Sequence, residues 1–416
     1  MKEDKESLYQ QMKDLFQFIL KNVDKSKVSS KNKTLIREEI KSLQSFVLGA
    51  RPARLAIVGR RGTGKSSVVN SFFGELKAEV GDYKSQTGAG KWYLFENDLG
   101  GIDILDTRGL GEAHKPDEAT ETKSPLQEVK QSIKEKCPDV ILFLCKAKEV
   151  GARLDEDLEQ LLELKKAVIA NHHYDVPIVG IVTQVDELAP VSVSTPPFAD
   201  DKKQQNIKAT VDLLQEKITE VITIPVKVIP TCSYVEYDDD GTIDYDRRWN
   251  IDVLLDYLMK ELPEEAQVIL AKLSKVKSVQ KTLARNVGRS ITGVTGIVAA
   301  TPVPIADMPI ITGLQLSMIG TIAMIGGEKL NRKTMTKFLG AMGVNLGVGF
   351  ALRGISRQLA KIFPGAGSVI SAGIASAGTY ALCEAAIAYF IDRKSTEEAK
   401  EIFDEQFKKS KQKHDE

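Results

Sequence analysis

The chain has 416 residues, with 57 Lys and Arg against 57 Asp and Glu, and a formal net charge of zero. That length leaves room for two or three domains with real cores, and the charge balance argues against a global basic field for nucleic acid, so DNA binding is not expected. Four cysteines (Cys137, Cys145, Cys232, Cys383) lie apart without CxxC pairing, which speaks against a disulfide framework or a zinc site and fits a reducing cytosol.

Residues 1–52 read as helix. Leu8, Met12, Phe16, Ile19 and Leu20 recur at helical spacing, then Leu35, Ile36, Ile40, Leu43 and Val47 after the polar break KSKVSSKNK. The N-terminal stretch has no apolar h-region, so secretion by a signal peptide is not expected.

From 53 to 263 short apolar runs alternate with helical ones: RLAIVG, KWYLFEN, GIDILDT, DVILFLC, VPIVGIVT and VKVIPT. Continuous apolar runs suit strands covered on both faces. KWYLFEN and GIDILDT are separated by DLGG, which predicts a hairpin with one antiparallel edge strand. The remainder predicts βαβ units in an α/β, doubly wound, mostly parallel sheet.

GRRGTGKS, Gly59 to Ser66, follows the first strand and opens a helix. Its glycines, Gly59, Gly62 and Gly64, let backbone N–H groups approach phosphate oxygens, and the helix offers its positive end. Arg60, Thr63 and Ser67 complete the loop. Lys65 is placed to reach β and γ phosphates, and the Ser66 hydroxyl to ligate Mg²⁺. DTRG, Asp106 to Gly109, ends the third strand 41 residues after Lys65. Asp106 suits a water-mediated Mg²⁺ contact, and the Gly109 N–H a γ-phosphate. TQVD, Thr183 to Asp186, ends VPIVGIV. A carboxylate there accepts two hydrogen bonds from guanine that adenine cannot offer, so Asp186 selects GTP. Cys232 and Ser233, after VKVIPT, are placed to add backbone contact to the guanine O6.

Together GRRGTGKS, DTRG and TQVD resemble the TRAFAC-class, Era-like GTPases over residues 54–262. The resemblance implies a P-loop GTPase (G) domain with bound GTP or GDP. It makes Thr87 the switch residue that ligates Mg²⁺ through its hydroxyl, with Ser85 as rival. The chain departs from the family at Gln184, where [NT]KxD usually has Lys, which lowers the expected guanine affinity. Ras-type enzymes place a water-orienting Gln where this chain has Leu110, and the Asn that holds potassium in some relatives is here Gly62. Arg61 is the candidate arginine finger, ahead of Arg60 and Arg108; the alternative is that the loop arginines face solvent or pair with an acid such as Glu112. Slow intrinsic hydrolysis, stimulated by self-association or a partner, is expected.

Beyond 263 the composition changes. The region 264–395 reads as an all-α domain completed by the N-terminal helices, followed by a charged helix or tail, 396–416. Met308 to Gly327 is twenty residues without a charge, and residues 362–391 carry Glu384 alone. Such runs approach the length of a bilayer span, and their small residues permit close helix packing. Pro302, Pro304, Asp307 and Pro309 argue against spanning. A buried bundle is the alternative. TPVPIADMPIITGLQLSMI and IFPGAGSVISAGIASAGTYALCEAAIAYF resemble the YcjF-like helical domain, and the overall layout is similar to the immunity-related GTPases, which implies a cytoplasmic protein peripheral to, or partly inserted in, a membrane. A soluble Era-like factor acting on ribosome, RNA or protein, and a dynamin-like membrane-remodelling assembly, are the rival readings. YDDDGTIDYD puts Arg247 where a calcium loop needs Glu, so a hairpin turn around Asp240-Gly241 is expected. His172 and His173 read as a helix end.

Overall fold

A computed structural model describes residues 2–73, 91–97, 100–107, 125–152, 154–238, 243–300, 308–328, 332–343 and 372–415. The chain divides into two compact units: residues 51–274, and residues 1–50 with 275–416.

The first unit is built on a sheet whose described strands run β2-β3-β1-β4-β5-β6. These are β1 (Ala53–Val58), β2 (Trp92–Asn97), β3 (Gly100–Asp106), β4 (Val140–Lys146), β5 (Ile178–Thr183) and β6 (Lys227–Pro230). β2 and β3 pair antiparallel at the edge, and the other neighbours are parallel. All six apolar runs singled out in the sequence are strands. Every residue of β5 is buried, as is β4 up to its last residue, which explains their unalternating sequences.

The unit's helices are α3 (Lys65–Phe73), α4 (Pro125–Glu135), α5 (Asp155–His172), α6 (Asp201–Ile222), α7 (Ile251–Glu261) and α8 (Glu264–Ser274). Leu158, Leu161, Leu164 and Val168 of α5 and Leu214, Ile218 and Ile222 of α6 close one core with β4 and β5. His173 caps α5 in the left-handed conformation, the helix end expected at His172-His173. α8 packs on β1 and β3; the sequence places it with the helical region, but its apolar side covers the sheet. Asp139 pins the start of β4 to β1, accepting two bonds from Arg51 (2.8 and 2.7 Å) and one from the Arg54 N–H at 2.9 Å. A two-stranded hairpin, β7 (Val235–Tyr237) and β8 (Ile243–Asp246), brackets the expected turn; residues 239–242 lie outside the described residues.

The second unit is helical: α1 (Lys2–Lys25), α2 (Ser30–Leu48), α9 (Lys277–Ala299), α10 (Met308–Ile325), α11 (Arg332–Ala341), α12 (Ala372–Phe390) and α13 (Thr396–Asp415). Met12, Phe16, Ile19 and Val23 form the buried stripe of α1. The Ser29 hydroxyl caps α2. α10, the core of the charge-free run, is buried at every residue from Ile310 to Ala323, because α1, α9 and α12 surround it. A helix apolar all round belongs in such a place. No described helix is long and apolar enough to cross a membrane. Gln315, fully buried in α10, donates to Thr379 Oγ1 of α12 at 2.9 Å. Arg285 of α9 makes a forked pair with Glu384 of α12 (2.9 and 3.0 Å).

α9 and α12 approach at Gly288, where an added Cβ would stand 2.1 Å from Cys383 Sγ. Gly288→Ala sets a propensity gain of about 1 kcal/mol against overpacking of about 1–3 kcal/mol. The clash is backed by the Cys383 Cβ at 3.0 Å, so overpacking wins: chemical denaturation should show a net loss of stability, recovered in part when Cys383→Ala removes the sulfur and leaves the Cβ.

Candidate functional site

The parallel strands end at one edge, and their loops meet there. β1 delivers Gly59 to Ser66. Gly59 is buried against β4, and a Cβ on it would meet the Leu144 carbonyl at 2.6 Å. Gly62 and Gly64 have φ of 79° and 83°, a backbone that side chains disfavour. The Thr63 N–H and hydroxyl both donate to the Arg60 carbonyl, at 3.3 and 2.8 Å, closing a turn. The ladder of α3 opens with Val68 N–H to Gly64 O, leaving the earlier amides of its first turn without intrahelical acceptors.

This loop fits a phosphate group. Among the described residues an added Cβ on Gly64 would meet nothing within 4 Å, and Gly64 lies beside the positive end of α3. The Lys65 ammonium folds back over the loop, donating to the carbonyls of Gly59 (2.5 Å) and Arg60 (3.0 Å). Ser66 and Ser67 are half-buried at the start of α3. β3 brings Asp106 to the same edge, paired in register with Ile57. Thr107, which sequence reasoning passed over, is buried and donates its hydroxyl to the Ile57 carbonyl at 2.5 Å, locking the end of β3 to β1. Thr87, Ser85, Arg108, Gly109, Leu110 and Glu112 lie outside the described residues.

The two loop arginines differ. Arg60 pairs with the buried Asp157 of α5, Nε to Oδ2 2.8 Å, and burial raises the Asp157 pKa against that guanidinium's pull. Arg60 is thus held against α5, paired with an acid other than Glu112. Arg61 is exposed.

β5 ends in Thr183, buried, whose hydroxyl donates to the Cys145 carbonyl at 3.4 Å. Gln184 takes a left-handed conformation, φ 57°, and its side-chain amide donates to the Gly62 carbonyl at 3.0 Å. The Thr183–Asp186 turn and the Gly59–Ser66 loop are therefore joined directly. Val185–Glu187 form a single 3₁₀ turn carrying Asp186.

That turn is held from behind by residues the sequence did not reveal. Lys203 of α6 is completely buried. Its ammonium donates to the carbonyls of Asp186 (2.7 Å) and Leu188 (2.6 Å) and lies 5.4 Å from the centre of the Phe198 ring. Burial lowers its pKa. Asn206 donates to the Ala189 carbonyl at 2.8 Å. The loop SVSTPPFADDKK, which reads as a polar excursion, is thus the wall of this turn. Cys232 contributes differently from expectation. Its N–H donates to the Trp249 carbonyl at 3.3 Å, so that amide is already engaged by a bridge rather than turned to a base. Burial pushes its thiol pKa up to about 12, and the nearby Asp186 carboxylate adds to the rise. The adjacent Ser233 hydroxyl is buried with no hydrogen-bond partner among the described residues.

Residues 54–173 match the family described as 50S ribosome-binding GTPase. The sheet unit carries a P-loop GTPase domain. Residues 265–412 match a domain of unknown function, DUF697. The GTPase Der of Pseudomonas putida (strain W619) is 32% identical over 122 residues, 28% of this chain and 23% of Der. Der of Aromatoleum aromaticum is 31% identical over 144 residues, 32% of each chain. The chain thus spans a third or less of these relatives. Among solved structures, the GTPase domain is similar to Toc33 of Arabidopsis thaliana in complex with GDP and Mg²⁺, at 15% identity and TM-score 0.35, covering 60% of this chain and 96% of Toc33.

Lys203→Met tests the support of the base-reading turn in this GTPase domain. It takes the donor from two part-buried carbonyls, at a cost of up to about 1–3 kcal/mol each. Urea unfolding should show a lower midpoint, and nucleotide competition should show reduced preference for guanine over adenine.

Proposed function

We propose that the protein binds GTP and GDP at the loops around Gly59–Ser66 and Thr183–Asp186 and hydrolyses GTP to GDP and phosphate. The observation that supports this is the bond from Gln184 to Gly62, which joins the turn carrying Asp186 to the Gly59–Ser66 loop; in this reading the two meet opposite ends of a single nucleotide. Lys65 would leave its loop carbonyls for the β and γ phosphates. Ser66, Asp106 and Thr87 would hold Mg²⁺, which withdraws charge from phosphoryl oxygens when bound. Gly109 would donate to the γ-phosphate, and Asp186 would accept from guanine, with Ser233 beside it. Arg60 is occupied by Asp157, so Arg61 is the better finger, worth about 10³–10⁵ in rate where such fingers act.

The helical unit is the responding arm. In this reading nucleotide state governs self-association at a cytoplasmic membrane surface, with peripheral contact rather than spanning. The likeness to YcjF-like and immunity-related proteins seen in the sequence favours this. A soluble role on ribosome or RNA is the second reading, favoured by the description of the family that matches residues 54–173.

The test is nucleotide binding and turnover by the purified chain across protein concentrations, with and without liposomes. Lys65→Ala should abolish binding. Asp186→Asn should shift preference from GTP to XTP, whose added carbonyl suits an amide donor, by about 10² or more. Arg61→Ala should lower turnover with little change in affinity. Binding that persists in Lys65→Ala, or a GTP preference untouched in Asp186→Asn, overturns the site. Flat turnover and protein left in the supernatant turn the search from membranes to ribosome or RNA.

A further inference from the structure

β4 ends at Lys146, in register with Thr183 of β5 and three residues beyond Phe143, the partner of Val58 in β1. Lys146 therefore emerges between the phosphate loop and the base-reading turn. Its side chain runs along Gly62: a Cβ built there would stand 3.2 Å from the Lys146 Nζ and 3.5 Å from its Cε. Its ion-pair partner, Glu149, is 3.4 Å away and half exposed, longer than a charge-assisted hydrogen bond of about 2.7–2.9 Å. The ammonium is loosely engaged among the described residues and lies beside Gly62 of the loop. Gln184, which reaches the Gly62 carbonyl, carries no charge.

Gly62 lies between the base-reading turn and the Lys65 end of the loop. The part of a guanine nucleotide that spans this gap is the ribose and the first phosphate. Resting on the nucleotide reading above, we propose that Lys146 is a nucleotide-positioning residue: from the neighbouring strand it supplies beside Gly62 the positive charge that Gln184 lacks, and it steadies the ribose–α-phosphate portion of GDP and GTP. Both nucleotides share that portion, so Lys146 acts on affinity and not on the rate of the bound complex.

The experiment measures affinity for a fluorescent GDP and for GTP, with turnover at saturation, in the full chain. Lys146→Met should weaken GDP and GTP by the same factor, about tenfold, the scale of one hydrogen bond to a charged group, and the loss should appear in KM rather than kcat. Lys146→Arg keeps the charge and should stay within about threefold of the parent, less than the tenfold that 1.4 kcal/mol would make. Gln184→Lys is made in the parent and in Lys146→Met, and it should raise affinity by a larger factor in Lys146→Met, an excess that a purely structural role of Lys146 would not give. Unchanged affinity in Lys146→Met overturns the proposal. So does a Gln184→Lys gain that is equal in the two backgrounds. If the parent protein and Lys65→Ala alike bind no guanine nucleotide, the nucleotide reading fails first and this inference with it; if the parent binds and Lys146→Met binds equally well, only the inference falls.

Discussion

Parallel pairing is the constraint from which the site follows. β1, β4, β5 and β6 run the same way, so their C-terminal ends, and the loops that leave them, are forced to one edge. Neighbouring strands stand about 4.8 Å apart, so loops leaving β1 and β5, with β4 between them, are about a nucleotide's reach from one another. Chain segments more than a hundred residues apart become neighbours without any contact designed for the purpose. The Arg51–Asp139 pair and the Arg54 amide at the opposite end hold β1 and β4 in register, and a shift there would displace Gly59 from Leu144.

Backbone carbonyls that the loops leave unpaired are met by side chains: Gly59 and Arg60 by Lys65, Gly62 by Gln184, Ile57 by Thr107, Asp186 and Leu188 by Lys203. A buried lysine costs desolvation free energy, yet two carbonyls and an aromatic face offset it at Lys203. The N–H groups left over are those at the start of α3. Lys203 and Thr107 shape the loops that carry Asp186 and follow β3.

The strands were legible because burial on both faces leaves no polar residue to interrupt an apolar run, and the phosphate loop because its glycines and lysine recur at fixed spacing. Lys203 was not legible. It sits in DDKKQQN, where a lysine reads as solvated, and a buried partner seventeen residues away leaves no local signal. Arg60 and Asp157 are separated likewise, so the choice between finger and ion pair needed coordinates. Cys232 was assigned through its amide, whereas the bridge to Trp249 takes that amide. The charge-free run at Met308 was ambiguous for a physical reason: a helix surrounded by α1, α9 and α12 presents the same apolar circumference that lipid would demand.

The helical unit is assembled from two lengths of chain separated by the whole of residues 51–274. On a ribosome, α1 and α2 emerge long before α9, α10 and α12 exist. Their buried stripe, Phe16, Ile19, Ile36 and Ile40, has only what α1 and α2 offer each other until synthesis has passed the sheet unit. Domains fold as units during synthesis, so the sheet unit can close while the first two helices still wait. Helix pairs such as α1 with α10 then form by closing a loop that already contains a folded domain. The closure penalty grows slowly with length, and a compact insert shortens the effective loop. The interval leaves an amphipathic N-terminal segment open to chaperones, and truncation anywhere before α10 strands it.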